Sequence, residues 1–280
     1  MTPLPPQMTD LAALARQRHR AARLSGHDAA MFAHRLALAD IQERLIEVNR
    51  TFTSPAVVTG FPDLWRDALP NARILADQDS LGLAAGAHDL VLHAMGLHWA
   101  NDPLGQLLQC KRALAPDGLF IAVFPGGRSL HELRSSLAEA EIAVSGGISP
   151  RVLPMGEIRE LGALMQRAGF ALPVADSLTQ QVEYPSIAAL FADLRAMGET
   201  NALQARSRQF TRRAVIRATE AVYRENFTSP AGRLRATLDL VFLTGWAPHD
   251  SQQKPLRPGS ARQRLADALG TIEEPLPKGG

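Results

Sequence analysis

Two short apolar segments constrain the fold of this chain most strongly. Residues 89–94 and 119–124 are almost continuously apolar, as strands buried on both faces of a parallel sheet are. Between them, Asp102 followed by Pro103 predicts the start of a helix that runs to about residue 114. The order strand, helix, strand predicts a parallel pair of strands joined by a crossover helix.

The same alternation extends along most of the chain. Strands are predicted at 56–59 and 72–76, with a short helix at 63–69 between them, and a Pro116-Asp117-Gly118 turn precedes the strand at 119–124. Ser129 and Glu132 have the spacing of a capping box that opens a helix to about residue 142. The later predicted elements are a helix at 156–168 ending at Gly169, a half-exposed strand at 178–184, a helix opened by Ser186, a basic helix at 208–226 and a strand at 238–246. We therefore predict an α/β fold with a Rossmann-like, mostly parallel sheet and a late antiparallel pair at one edge.

Changes in composition divide the chain into three predicted parts. Residues 1–50 form an N-terminal helical extension, with a proline-rich start, a basic helix at 9–24 and a helix at 28–49 that Asp28 caps. Residues 51–250 form the α/β domain, with a helical insertion at about 186–228. Residues 251–280 form a polar tail.

Charge and cysteine content limit the classes of function. The net charge of +2 over 280 residues is too mild to indicate nucleic-acid binding. Arginines at 16, 18, 20 and 23 form either a solvated helix face or a contact for an acidic partner. Cys110 is the one cysteine, so the chain has neither a disulfide framework nor a cysteine-based zinc site. No apolar run of about 18 residues is present, and we expect a cytoplasmic protein without a membrane span.

Three stretches of the sequence resemble a known family. Residues 89–102, which read DLVLHAMGLHWAND, and residues 114–118 resemble the fourth strand and the following turn of class I S-adenosylmethionine (SAM) methyltransferases. The methyltransferase of malonyl carrier protein in the biotin pathway belongs to the same group. A second set at 126–134, 146–150 and 197–201, and a third at 245–261, resemble bacterial relatives of the mitochondrial complex I assembly factor 5 family. This resemblance extends from about Leu14 to Leu269.

The resemblance implies a methyltransferase fold, SAM as cofactor and a protein substrate. For the mitochondrial members it also implies hydroxylation of one arginine on a subunit of respiratory complex I. A methyltransferase-type enzyme linked to complex I assembly is therefore the function that the resemblance favours.

The predicted cofactor loop departs from the pattern that nucleoside binding requires. The turn after the first strand of such a sheet needs glycines, because side chains block the close approach of the backbone to its ligand. Here the turn holds one glycine, Gly60, while Phe61 and Pro62 stand where small residues are expected. Asp89 follows Ala56 by 33 positions, which leaves room for one βαβ unit of about 30 residues. One strand and one helix are therefore predicted to be missing near the start of the sheet.

Nine residues at the predicted strand ends are candidates for binding SAM. If the strand at 72–76 is the family's third strand, Asp79 matches the carboxylate on the adenine side, and the acid that binds the ribose has no counterpart. The aspartates and Gly60 are equally explained by plain turns, and Trp99 by packing in the core. The candidates are Thr59, Gly60, Asp77, Asp79, His93, Ala94, Met95, His98 and Trp99.

Three polar residues are candidates for catalysis. An arginine substrate requires a carboxylate opposite its guanidinium, which points to Glu132 and Glu199, although capping also explains Glu132. His249 lies in a polar stretch that either covers a cleft or fastens the tail. The spacing of the histidines predicts no metal site. Two hypotheses remain: a SAM-dependent enzyme acting on a protein, and a non-catalytic assembly factor with a degenerate cofactor site.

Overall fold

A six-stranded mixed sheet forms the centre of the computed structural model, which describes residues 7–66, 69 and 71–252. The strands are β1 Pro55–Thr59, β2 Arg73–Leu75, β3 His88–Ala94, β4 Leu114–Gly126, β5 Ala171–Tyr184 and β6 Leu234–Trp246. Their order in the sheet is β2-β1-β3-β4-β6-β5. The first four are parallel, and β6 runs antiparallel between β4 and β5. The predicted fold class, with its late antiparallel pair at one edge, is confirmed.

The helices connect these strands and flank the sheet. They are α1 Leu11–Ala21, α2 His27–Ala30, α3 Phe32–Val48, α4 Pro62–Arg66, α5 Pro103–Ala113, α6 His131–Ser145, α7 Ile158–Ala168, α8 Ile187–Met197 and α9 Arg213–Phe227. Several helices begin or end at the residues that local sequence signals predict. Asp102 and Ser186 accept hydrogen bonds from the backbone N–H of the residue three positions on, and Gly169 ends α7 in the left-handed conformation.

Apolar side chains cover the sheet on both faces. One face packs against α3 and the fully buried Trp65 of α4, and the other packs against α5 and α7. The long ends of β5 and β6 extend beyond this core, where they pack against α6, α8 and α9. Between β1 and β3 the described chain holds one helix and one strand, and β2 pairs directly with β1. The predicted truncation near the first strands is therefore present in the sheet.

Two predictions about helix starts are wrong. The helix predicted at 28–49 is broken at Met31, and Asp28 lies in the first turn of α2, whose N-cap is Gly26. Ser129 and Glu132 do not form a capping box, because the N-cap of α6 is Leu130 and its side chain makes no cap bond. Both polar side chains bond to β6 instead, and these partners are more than 100 positions away in the chain.

The turn predicted at residues 116–118 is also wrong in detail. Those residues belong to β4, where Asp117 takes a positive φ of 60° and the register with β3 shifts between His88 and Leu90. A bulge therefore replaces the turn, because the strand begins directly after α5 ends.

The contacts within the chain divide it into two units, Met1–Pro248 and His249–Gly280. The part of the C-terminal sequence signature beyond residue 252 lies outside the described residues, as do residues 1–6. None of the described helices is both long and apolar enough to cross a membrane.

Candidate functional site

A cavity of about 970 Å³ opens at the carboxyl ends of β1 and β2. Residues at and just after the ends of the two strands form one wall, among them Thr59, Gly60, Asp77 and Asp79, and α1 forms another. Open parallel sheets bind their ligands at this end of the strands. The structure therefore brings together four of the nine predicted cofactor residues around a space of the size of a nucleoside site. We call this space the strand-end cavity.

The loop after β1 is held by contacts to the Thr59 side chain and to α3. The backbone N–H of Phe61 donates to Thr59 Oγ1 at 3.2 Å, and the Phe61 ring meets the edge of His34 with centroids 4.3 Å apart. Trp65 Nε1 donates to His34 Nδ1 at 3.3 Å, and burial lowers the pKa of His34 to about 3, so this histidine is neutral. Phe61 forms part of the cavity wall and Trp65 belongs to the core, so neither ring closes the strand-end cavity.

Arg18 of α1 enters the strand-end cavity and pairs with Asp77. Its Nη1 lies 2.8 and 3.0 Å from the two carboxylate oxygens, and each of the two side chains is 9% exposed. Its guanidinium also lies over the Phe61 ring, 4.9 Å from the centroid. A Cβ atom on Gly60 would lie 1.9 Å from Arg18 Nη1, so the space beside this glycine is filled by the arginine. Of the two sequence-based interpretations of the four arginines, the solvated helix face does not apply to Arg18, whose acidic partner lies within the chain.

A second cavity, of about 530 Å³, lies beyond the ends of β3 and β4. Three of the predicted cofactor residues line it, namely Met95, His98 and Trp99. The rest of its wall comes largely from apolar side chains of α6, α8 and α9 and from the ends of β5 and β6. We call this space the insertion cavity.

Glu199 is a buried carboxylate in the wall of the insertion cavity. Its Oε2 accepts hydrogen bonds from Trp99 Nε1 at 2.6 Å and from His98 Nε2 at 3.2 Å. Burial by itself raises the pKa of Glu199, but the bond and charge of His98, the charge of Arg18 and the Trp99 bond lower it to about 2. The side chain is 14% exposed and negatively charged at neutral pH, so it offers a cation-binding group in a largely apolar space.

The remaining two predicted cofactor residues line neither cavity. His93 and Ala94 are fully buried within β3, and His93 Nε2 pairs with Gln106 Oε1 of α5 at 2.7 Å. Burial lowers the pKa of His93, which favours the neutral ring.

The other two catalytic candidates have hydrogen-bond partners of their own. Glu132 is buried and accepts hydrogen bonds from the Thr237 backbone N–H and hydroxyl, beside a polar cavity of about 360 Å³. His249 belongs to the second unit, where its Nδ1 lies 2.7 Å from Ser251 Oγ. Glu132 thus joins α6 to β6, and a catalytic role for His249 stays a prediction.

Two groups of polar residues were missed by the sequence reasoning. One is Arg18, although Leu11, Leu14 and Ala21 lie at helical spacing from it and place it on the inner face of α1. The other is the ion pair of Glu141 with Arg151, of which Arg151 lines the insertion cavity, and it had no local sequence signal. No group of three or more metal-ligating side chains occurs within residues 7–66, 69 and 71–252. Cys110 is buried, and burial raises the pKa of its thiol, so it is not a nucleophile at neutral pH.

Comparison with known proteins finds one matching domain family and several relatives. The methyltransferase domain family matches residues 21–122. The mitochondrial arginine-hydroxylase NDUFAF5 of Danio rerio is 36% identical over 220 residues, which are 79% of this chain and 68% of the relative. The malonyl-[acyl-carrier protein] O-methyltransferase of Laribacter hongkongensis is 32% identical over 188 residues, 67% of this chain and 61% of the relative.

Among solved structures, a phosphoethanolamine N-methyltransferase of Haemonchus contortus with bound S-adenosylhomocysteine aligns at a TM-score of 0.45 and 9% identity. The alignment covers 85% of this chain and 59% of that chain. On the sequence identity to its relatives and on the strand order of its own sheet, the chain belongs to the NDUFAF5 family of the class I SAM-dependent methyltransferases.

Proposed function

We propose that this protein binds SAM in the strand-end cavity and acts as a methyltransferase-type enzyme on a protein substrate during assembly of respiratory complex I. The observation that carries the proposal is a nucleoside-sized space at the carboxyl ends of the first two parallel strands, with Gly60, Asp77 and Asp79 in its wall. The link to complex I rests on membership of the NDUFAF5 family.

The residues present fit the polar groups of such a ligand. Carboxylates accept hydrogen bonds from the hydroxyls of a ribose and from the amino group of an adenine, and Asp77 and Asp79 follow the strand next to β1. Gly60 leaves space at the backbone, although Arg18 fills that space in the structure. When bound, SAM supplies an electrophilic methyl group on its sulfonium.

The insertion cavity is the proposed site for the substrate side chain. Glu199 is charged and faces a largely apolar space, so it suits a guanidinium, which presents N–H donors to a carboxylate. Trp99 and His98 each donate a hydrogen bond to this carboxylate and hold its position. The Danio rerio relative is named an arginine-hydroxylase, which agrees with an arginine substrate. Whether the reaction adds a methyl group or an oxygen atom is a question for experiment.

Calorimetric titration with S-adenosylhomocysteine tests cofactor binding. We expect a measurable Kd for the native chain and weaker binding by Asp79→Asn, because the substitution removes a charged acceptor from the cavity wall. Asp63→Asn is the matched control, since Asp63 lies at the same cavity with 94% of its side chain exposed. Absence of binding at millimolar ligand, both by the native chain and by Arg18→Gln, would remove the enzymatic proposal.

Mass spectrometry of an arginine peptide incubated with the protein and SAM distinguishes the chemistry. An added methyl group supports transfer from SAM, and an added oxygen, in a parallel reaction supplied with dioxygen and a two-electron reductant, supports hydroxylation. A Glu199→Gln protein should lose the modification in either case, because the guanidinium loses its charged partner.

A second candidate function is supported by the Arg18–Asp77 pair. A protein that uses these two side chains as a structural ion pair does not need a cofactor, and it would act as a non-catalytic assembly factor. The calorimetric titration separates the two candidates directly.

A further inference from the structure

We propose that Arg18 is an autoinhibitory latch that occupies the cofactor site and must leave Asp77 before a nucleoside binds. This inference rests on the proposed function, because it concerns the affinity of the strand-end cavity for SAM. It concerns a residue of the helical extension, outside the parallel sheet that forms the site.

The first observation is that Arg18 uses the two features of the cavity that a nucleoside needs. Both oxygens of Asp77 accept hydrogen bonds from Arg18 Nη1, so the guanidinium covers the side of this carboxylate that lies toward Gly60. The guanidinium also lies against Gly60, in the space that the backbone of the loop leaves for a ligand. A nucleoside and the Arg18 side chain therefore exclude each other.

The second observation is that the latched arginine is incompletely bonded. Arg18 Nε and Nη2 are buried and have no hydrogen-bond partner among the described residues. Guanidinium donors are nearly always bonded when they are buried, since the loss of their water costs free energy. A ligand can therefore displace the Arg18 side chain, because its release from the cavity returns these donors to water.

The third observation is that the backbone of α1 is firmly held while the side chain blocks the cavity. Asp10 at the start of α1 pairs with Arg206 at 2.8 Å, and the backbone of Arg18 lies 3.1 Å from the position of a Cβ atom on Gly198. The helix is thus fixed to the segment that follows α8. A rotation of the Arg18 side chain alone, toward the open part of the cavity, is sufficient to free Asp77.

The test is calorimetric titration of S-adenosylhomocysteine, and of adenosine, into the native chain and into Arg18→Gln. We expect Arg18→Gln to bind both ligands at least tenfold more tightly, because the fraction of molecules with an open site rises. Arg20→Gln is the matched control, since it makes the same charge change at an exposed position of the same helix, and its Kd should equal the native value. Arg18→Lys, which keeps the charge with fewer donors, should fall between the two.

The outcomes separate the latch from the proposed function. Equal or weaker binding of S-adenosylhomocysteine by Arg18→Gln overturns the latch and leaves cofactor binding intact. Weaker binding of S-adenosylhomocysteine with unchanged binding of adenosine also overturns it, and shows that Arg18 holds the amino-acid part of the ligand. No binding by any variant, with thermal unfolding confirming that each is folded, refutes the proposed function and the latch with it. If Arg18→Gln does not fold, the comparison of Arg18→Lys with the native chain decides the same question.

Discussion

The pH dependence of stability is a direct test of the environment of Glu199. Replacement by glutamine keeps the shape of the side chain and an oxygen that can accept the Trp99 bond, but it removes the charge that His98 and Arg18 face. The pKa of Glu199 in the folded protein is about 2, against an ordinary value of 4.5. Because the folded value is the lower one, the charged carboxylate stabilises the fold above about pH 4.5, and this stabilisation is lost as the pH falls toward 2.

The size of the effect follows from the pKa difference. Each unit is worth about 1.4 kcal/mol, so the full contribution of the Glu199 charge is on the order of 3 kcal/mol. Between about pH 5 and about pH 3.5, the linkage relation gives a loss of about 1.2 kcal/mol in the free energy of unfolding. Glu199→Gln cannot lose this contribution, since its amide does not titrate in that range.

Urea unfolding followed by tryptophan fluorescence at about pH 5 and about pH 3.5 measures the difference. The destabilisation caused by Glu199→Gln should be smaller at the lower pH by about 1.2 kcal/mol. Glu47→Gln, at an exposed position of α3, is the matched control and should follow the native chain at both pH values. A penalty for Glu199→Gln that is the same at both pH values would refute the reasoning.

Three further substitutions test the fold around the site by urea unfolding at neutral pH. Trp65→Ala should destabilise by about 3–5 kcal/mol, because it empties a fully buried position; a loss under about 1 kcal/mol would contradict its place in the core. Gly198→Ala should lower the free energy of unfolding clearly more than Gly146→Ala. Both glycines have positive φ, but only at Gly198 does an added Cβ meet another backbone, 3.1 Å away on α1. Equal losses of stability would contradict this contact. Thr237→Val should cost about 1–3 kcal/mol, because buried Glu132 loses its hydroxyl donor; unchanged stability would show that the hydroxyl bond contributes nothing.

Local signals in the sequence were reliable where the structure also depends on local contacts. The capping of α5 by Asp102 and of α8 by Ser186 requires only a backbone N–H three positions away, and both caps are present. The capping box at Ser129 and Glu132 failed because Asp239 and Thr237 of β6 offer buried partners for the same side chains. A pattern of a few neighbouring residues cannot reveal these partners, because they lie more than 100 positions away in the chain.

The sequence predicted part of the candidate site, because the direction of parallel strands fixes where their ends lie. The carboxyl ends of parallel strands must lie at one edge of the sheet, so Gly60, Asp77 and Asp79 were expected to lie near each other and do so. Which face of α1 turns toward them depends on the apolar stripe of the helix, and that stripe carries Arg18 inward.

The sequence by itself determined the α/β alternation, the buried strands and the edge of the sheet at which polar residues collect, because hydrophobic period and strand direction are properties of the chain. Only the tertiary structure decided which of those polar groups are already paired. Asp77 meets Arg18 from 59 positions away, and Glu199 meets Trp99 from 100 positions away. The hydrogen-bond partner of a buried charge is set by packing between distant segments, and this decides whether the charge is available to a ligand.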